Sequence, residues 1–201
     1  MTLSNYHQKY SQKSDEEIAQ RAEVKNQELR QIFSKIELKT NNNPPRIAVM
    51  GCGDKRFVNY HKKYFEEQLA KKVELTTFDI SINHLEDEEN IIQHDCSLPL
   101  PNPPYDITYA HVLLKFIPKE KQWDVIKNSY DALISGGLAI HILDPEDYSG
   151  DNLPDQLYPV PIQELEDRLK LHSIKYTKIT LQSGPEGNMK ALALLLIKDI
   201  I

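Results

Sequence analysis

Hydrophobic and polar positions along this chain follow two periods, one helical and one of short continuous runs. Ile18, Ala22, Leu29, Phe33 and Ile36 recur at helical intervals behind Ser14-Asp-Glu-Glu17, which has the spacing of a capping box, and predict a leading helix of about five turns. Thr40-Asn-Asn-Asn-Pro-Pro45 ends it, because neither the asparagines nor the paired prolines support a continuing helix. Apolar runs at 46–50, 73–78, 91–94, 106–113, 138–143, 174–181 and 189–198 then read as strands. Between them, Phe57, Tyr60, Tyr64 and Leu69 mark a second helix. Trp123, Ile126, Tyr130, Leu133 and Ile134 mark a third, opened by Pro118 and terminated by Ser135-Gly136-Gly137. Ile162, Leu165 and Leu169 mark the last.

Strand and helix alternate up to the final pair, which implies an α/β fold: a doubly wound, seven-stranded, mostly parallel sheet with helices on both faces. The final pair is separated by Ser183-Gly-Pro-Glu-Gly-Asn188 and reads as an antiparallel hairpin. Its first strand mixes lysines and threonines with apolar residues, as an exposed edge does. Ala191-Leu-Ala-Leu-Leu-Leu-Ile197 is apolar on both faces and requires an interior place. Ile91-Ile92-Gln93-His94 is short enough for the other edge. Residues 1–44 divide off as an N-terminal helical segment, and 45–201 as the sheet domain.

Composition narrows this little. A chain of 201 residues can enclose one core, burying roughly 70% of its unfolded surface. The net charge of −6 argues against a nucleic-acid backbone as the main partner. No apolar run approaches the roughly 20 residues of a membrane span, and Met1-Thr-Leu-Ser-Asn-Tyr lacks the pattern of a secretory signal, so the expectation is a cytoplasmic protein without a membrane partner. Two cysteines, Cys52 and Cys96, supply neither a disulfide framework nor a zinc site, and no metal is expected. Both read as small apolar fillers behind strands rather than a redox pair.

Most of the chemistry gathers at Arg46-Ile-Ala-Val-Met-Gly-Cys-Gly-Asp54, where an apolar strand stops at two spaced glycines before a helix. Such a turn lets a ligand approach the backbone closely. Asp79 closes the next strand, and a carboxylate there can accept both hydroxyls of a ribose. The two together predict a nucleoside-cofactor site at the carboxyl edge of the sheet.

In this order the residues resemble the class I S-adenosylmethionine-dependent methyltransferases, from Arg46 to the C-terminus. Val49-Met-Gly-Cys-Gly53 is similar to the glycine motif of the family, Phe78-Asp79 to its ribose-binding acid, and His94-Asp95-Cys96 to the acid near the adenine amino group. Tyr105-Asp-Ile-Thr-Tyr-Ala-His-Val-Leu113 is similar to the fourth strand, and Ser135-Gly-Gly-Leu-Ala-Ile-His141 to the turn into the fifth. The resemblance implies a Rossmann-like methyltransferase fold, S-adenosylmethionine as cofactor, and cofactor contacts at Gly51, Cys52, Gly53, Asp79, Ile80, Asp95, Cys96 and Ala110. The third glycine of the family motif is replaced by Lys55, which either meets the cofactor carboxylate, points to solvent, or crowds the pocket. Asn102-Pro-Pro-Tyr105 spells the signature of adenine amino-methyltransferases, but it precedes the fourth strand instead of following it and reads as a turn.

Methyl transfer relies on alignment and exclusion of water, so few catalytic groups are required. His111, at the end of the fourth strand, is either a base or acceptor-positioning residue or a hydrogen-bonded wall residue. His141 lies within a strand and reads as a packed histidine. Asp144 and Glu146 either meet an acceptor amine or solvate a loop, and Glu86-Asp-Glu-Glu89 reads as a solvated turn. Tyr6, His7 and Tyr10 precede the capped helix as a lid or a frayed tail. The expected function is methyl transfer to a small-molecule acceptor, held by the leading helix, the Asp144 to Val160 loop and the Ser183 to Asn188 turn. A protein or tRNA acceptor is the variant, and a catalytically inactive binding or regulatory module the alternative. A nicotinamide-dependent oxidoreductase fits less well, since its fingerprint requires a glycine where Arg56 stands. Acceptor identity and oligomeric state are not written in the sequence.

Overall fold

The computed structural model describes residues 8, 10–36, 38, 40–144 and 157–199. Helix α1, Asp15–Phe33, starts at Ser14, whose hydroxyl accepts from the Glu17 amide while the Glu17 carboxylate accepts from the Ser14 amide. Strands β1 (Arg46–Met50), β2 (Glu74–Asp79), β3 (Ile91–Gln93), β4 (Tyr105–His111), β5 (Leu133–Leu143), β6 (Tyr176–Ser183) and β7 (Met189–Ile197) form one sheet in the order β3-β2-β1-β4-β5-β7-β6. The first five are parallel; β7 runs antiparallel to both β5 and β6. Helices α2 (Arg56–Leu69), α3 (Lys119–Asp131) and α4 (Ile162–Leu171) complete the layers.

Side chains alternate across each strand and fill two cores. Ile47 and Val49 of β1, with Ile107 and Tyr109 of β4, face α1 and α2. Ala48, Met50 and Ala110 face the opposite way, toward α3 and α4. The polarity of the final hairpin sorts as its composition requires: β7 lies between β5 and β6, with Ala193, Leu194, Leu195 and Leu196 buried, and the lysine-bearing β6 takes the edge. Short β3 takes the other edge.

The boundary between α3 and β5 differs from the sequence reading. Leu133 and Ile134 belong to β5, because the Tyr105 amide donates to Ala132 O at 2.8 Å and draws the chain into the sheet as soon as α3 ends. Ser135-Gly136-Gly137 is therefore a bulge within a strand, not a helix terminator: Tyr105 pairs with Leu133 but Ile107 with Leu138. A Cβ on Gly137 would lie 3.0 Å from Asp106 O, so only glycine fits this crossing.

The asparagine linker is also more ordered than its composition implies. Fully buried Asp106 accepts from the backbone amides of Asn41, Asn42 and Arg46 and from the Asn42 side chain, at 2.8–3.2 Å. Asn102-Pro-Pro-Tyr105 lies at this same entering edge, where the Arg46 guanidinium donates to the carbonyls of Asn102 and Pro104. Its place is opposite the strand ends that carry the glycine turn, as a turn-forming role requires.

Candidate functional site

Sheet order reverses between β1 and β4, and β1 delivers the glycine turn there. Gly51 has φ +78°, its amide donates to Phe78 O at 2.7 Å, and the next amide, Cys52 N, donates to Asp79 Oδ2 at 2.7 Å. Gly51 to Gly53 and Asp79 thus converge on one rim. Gly51 and Cys52 thus use their amides to hold β2 and its terminal carboxylate, and neither amide faces a ligand. What the turn offers is close approach and an oriented Asp79. The other carboxylate oxygen, Oδ1, accepts from Ser81 N at 3.1 Å. Each oxygen has two acceptor directions, so one on each oxygen stays available to a diol.

The remaining expected cofactor positions gather along the same edge. The His94 amide donates to Asp79 O at 2.8 Å, tying the outlet of β3 to that of β2. Asp95 follows, accepting from the Ser97 amide and hydroxyl through one oxygen, with Lys121 3.5 Å from the other. The Ser97 hydrogen bonds, aided by Lys121, hold the Asp95 carboxyl below its usual range. Ile80, which follows Asp79, and Leu98, three residues after Asp95, are 60% and 55% exposed, large apolar side chains left to solvent on this edge. Cys52 and Cys96 are buried free thiols, and burial pushes each up to about 12, so both stay neutral. Ala110 pairs in register with Met50, placing its backbone beside the glycine turn.

Lys55 is exposed at the N-terminus of α2. Its neighbour Arg56 is the structural cation: the guanidinium binds Asp54 at 2.8 Å, Asp15 at 2.7 Å, and the carbonyls of Lys13 and Tyr10. This pins the segment before α1 to the turn, with the Tyr10 ring 5.9 Å from Phe57. Tyr6 and His7 lie outside the described residues, as does Glu146.

Helix α1 brings two charged side chains that the sequence reading did not single out. Glu28 is 1% exposed, and its carboxylate accepts from Ser183 Oγ at 2.5 Å and from His111 Nε2 at 2.9 Å. Lys25 Nζ lies 3.4 Å from His61 Nε2 and 4.0 Å from the Phe57 ring centroid, and its charge acts on Cys52. Desolvation lowers Lys25 to about 8. Desolvation, then the nearby Lys25 charge, also lowers His61 and His111, so both rings are neutral at pH 7. For Glu28, burial opposes ionisation, but His111, Ser183 and Lys25 prevail and keep its carboxyl low. The Tyr109 hydroxyl is buried beside Glu28 and, like His61 Nδ1, has no hydrogen-bond partner among the described residues.

A signal for this cluster existed in the gap of the α1 apolar stripe between Ala22 and Leu29, which Lys25 and Asn26 fill. Two other features had no sequence cue. His84, on a 3-10 turn at Asn83–Leu85, donates from Nε2 to Cys52 O at 2.6 Å and braces the glycine turn. Val112 adopts φ +56°, a strained conformation for a β-branched residue, right after His111. The other acidic and histidine candidates find structural partners. Asp144 pairs with Lys115. His141 is fully buried and donates from Nε2 to Ser129 Oγ at 2.8 Å, since that hydroxyl itself donates to Ile126 O.

The donor set on this rim is of the kind an adenosyl group requires: spare acceptor directions on Asp79, a second acid at Asp95, and exposed apolar Ile80 and Leu98 close to them in the chain. Comparison with solved structures supplies the fold. A protein of Haloferax volcanii, solved in complex with the Trm112 methyltransferase activator, matches at a TM-score of 0.69 and 8% identity, over 99% of this chain and 100% of that one. An S-adenosylmethionine-dependent methyltransferase of Clostridium acetobutylicum matches at 0.59 and 11%, over 90% and 92%. The N-methyltransferase NodS of Bradyrhizobium japonicum, bound to S-adenosylhomocysteine, matches at 0.54 and 10%, over 93% and 89%. The chain thus has the fold of the class I methyltransferases. No protein-family model and no curated protein matches its sequence.

Proposed function

We propose that this chain is an S-adenosylmethionine-dependent methyltransferase acting on a small acceptor, with residues 1–44 forming the acceptor side of the site. The observation that supports the reading is the 2.7 Å hydrogen bond from Cys52 N to Asp79 Oδ2 at the switch point of the sheet, which fixes a largely buried carboxylate, with acceptor directions to spare, beside the glycine turn. Asp79 would hold the ribose, Asp95 the adenine amino group, and Ile80, Cys96 and Ala110 the apolar surroundings. When bound, the cofactor supplies an electrophilic methyl group on a sulfonium. The chain's own part is to place an acceptor behind that methyl, to exclude water and to manage a proton, for which His111 is the candidate base.

Calorimetric titration with S-adenosylhomocysteine tests the reading directly. Asp79→Ala is expected to weaken binding about 100-fold through two lost charged hydrogen bonds. Lys55→Ala, altering an exposed side chain, is expected to change it less than about threefold. No binding at millimolar ligand would remove the cofactor from the account. Likeness to a protein bound to a methyltransferase activator supports a second reading, in which this chain works in a complex with another protein. Methyl transfer from labelled cofactor in cell extract, dependent on an intact Asp79, separates an active enzyme from an inactive module.

A further inference from the structure

Three elements meet at one buried carboxylate. Glu28 comes from α1, His111 from the end of β4, and Ser183 from the end of β6. Burying a carboxylate is expensive unless it is fully hydrogen-bonded, and a structural role would be met as well by an apolar side chain. Because an ionised carboxylate only accepts, the shared proton lies on His111 Nε2, which leaves the lone pair of the neutral ring on Nδ1. The His111 side chain keeps 21% of its surface exposed while Nε2 is anchored to Glu28, so the ring is held in place without being sealed from solvent. Lys25, one helical turn before Glu28, sets its positive charge against both Glu28 and His111.

Resting on the methyltransferase reading above, we propose that Glu28 and His111 form an orienting acid–base pair for a hydroxyl acceptor, an alcohol or a phenol. An amine acceptor loses its proton to water before reaction and arrives with a competent lone pair, whereas a hydroxyl gains nucleophilicity only as its proton leaves. Lys25 sharpens the choice: its charge repels an ammonium and favours an oxygen that becomes anionic. In the step, the acceptor O–H bond breaks with its proton passing to His111 Nδ1. The freed pair forms the O–CH3 bond, and the pair of the broken S–CH3 bond remains on the departing neutral sulfur. Glu28 stabilises the imidazolium until water removes the proton. His111 is the catalytic base and Glu28 a positioning residue acting through it.

The groups facing His111 are Lys25 and Glu28 of α1, His61 of α2, Tyr109 on its own strand and Asp144 beyond β5. Nitrogen-15 spectra of the histidines in the purified protein read the pair without any turnover. His111 is expected neutral at pH 7 with a bare Nδ1, and Glu28→Gln, which keeps the shape but removes the charge, should lower its titration midpoint by about one unit or more. A proton on Nδ1, or an unmoved midpoint, overturns the pairing. Labelled S-adenosylmethionine incubated with the small-molecule fraction of a cell extract reads the acceptor. Label on oxygen is expected, lost about 100-fold or more in His111→Gln and by a smaller factor in Glu28→Gln, while S-adenosylhomocysteine binds both variants as it binds the wild type. Label on nitrogen or sulfur, or no labelled small molecule from a cofactor-binding protein, overturns the acceptor assignment. Loss of cofactor binding in the wild type would instead overturn the methyltransferase reading, leaving the spectra to judge the pair.

Discussion

Lys25 is half-buried, and among the described residues its ammonium has no carboxylate oxygen of its own but meets the His61 ring and the face of Phe57. That placement strains the fold in a measurable way. The folded protein releases the Lys25 proton near pH 8, while the unfolded chain keeps it to about 10.5. Between those values the unfolded state binds more protons, so this residue makes stability rise with pH across that window. Lys25→Met is accordingly expected to stabilise the protein at pH 7 by about 1–3 kcal/mol and to flatten the rise, as urea unfolding at pH 7 and 10 would measure. That gain would mark Lys25 as a residue that serves something other than folding, in keeping with its place one turn before Glu28 and its action on Cys52. At this scale, Asp79 and the glycines were legible because a strand followed by a glycine turn and a second acid-ended strand has few meanings. Lys25, Glu28 and His84 were not, since their significance depends on partners 32 to 155 residues away: His61, His111, Ser183 and Cys52 come from other elements.

At the level of elements, the linker between α1 and β1 is the part whose character changes most. Its asparagines and prolines forbid a helix, and that much is local chemistry. Whether the segment is loose or fixed is decided by Asp106, which takes two of its backbone amides and one side-chain amide, together with the Arg46 amide at the start of β1. Asp106→Ala should strand those donors and cost about 3–5 kcal/mol, read by thermal or urea unfolding. Asp106 sits at the entering edge of β4, away from the glycine turn, so the folded fraction of that variant is expected to bind S-adenosylhomocysteine with unchanged affinity. The misplaced end of α3 has the same origin. Leu133 and Ile134 continue the helical period of Trp123 and Ile126, yet the ladder to β4 claims them, and periodicity cannot tell a last helical turn from a first buried strand pair.

The whole molecule joins two apolar cores through one sheet and leaves its polar chemistry at the carboxyl edge. Buried neutral histidines give it an acid limit. His141 is held down to about 4 by desolvation, whereas the unfolded chain takes up that proton at about 6.5. The unfolded state therefore binds more protons between those values, and stability present above pH 6.5 is lost as pH falls toward 4, by about 2–3 kcal/mol from His141, with His61 adding in the same direction. Unfolding at pH 7 and 4.5 should show this loss, reduced in His141→Gln, which cannot be protonated. Sequence by itself determined the order of elements, the mostly parallel sheet, the burial of β7 against the exposure of β6, and the glycine-and-acid rim, because each follows from periodicity, polarity or backbone freedom within a few residues. Tertiary structure alone decided which charges are buried together. Glu28, His111 and Ser183 become one group only when α1 lies across the ends of β4 and β6, and ionisation, tautomer and reactivity are set by that shared removal from water.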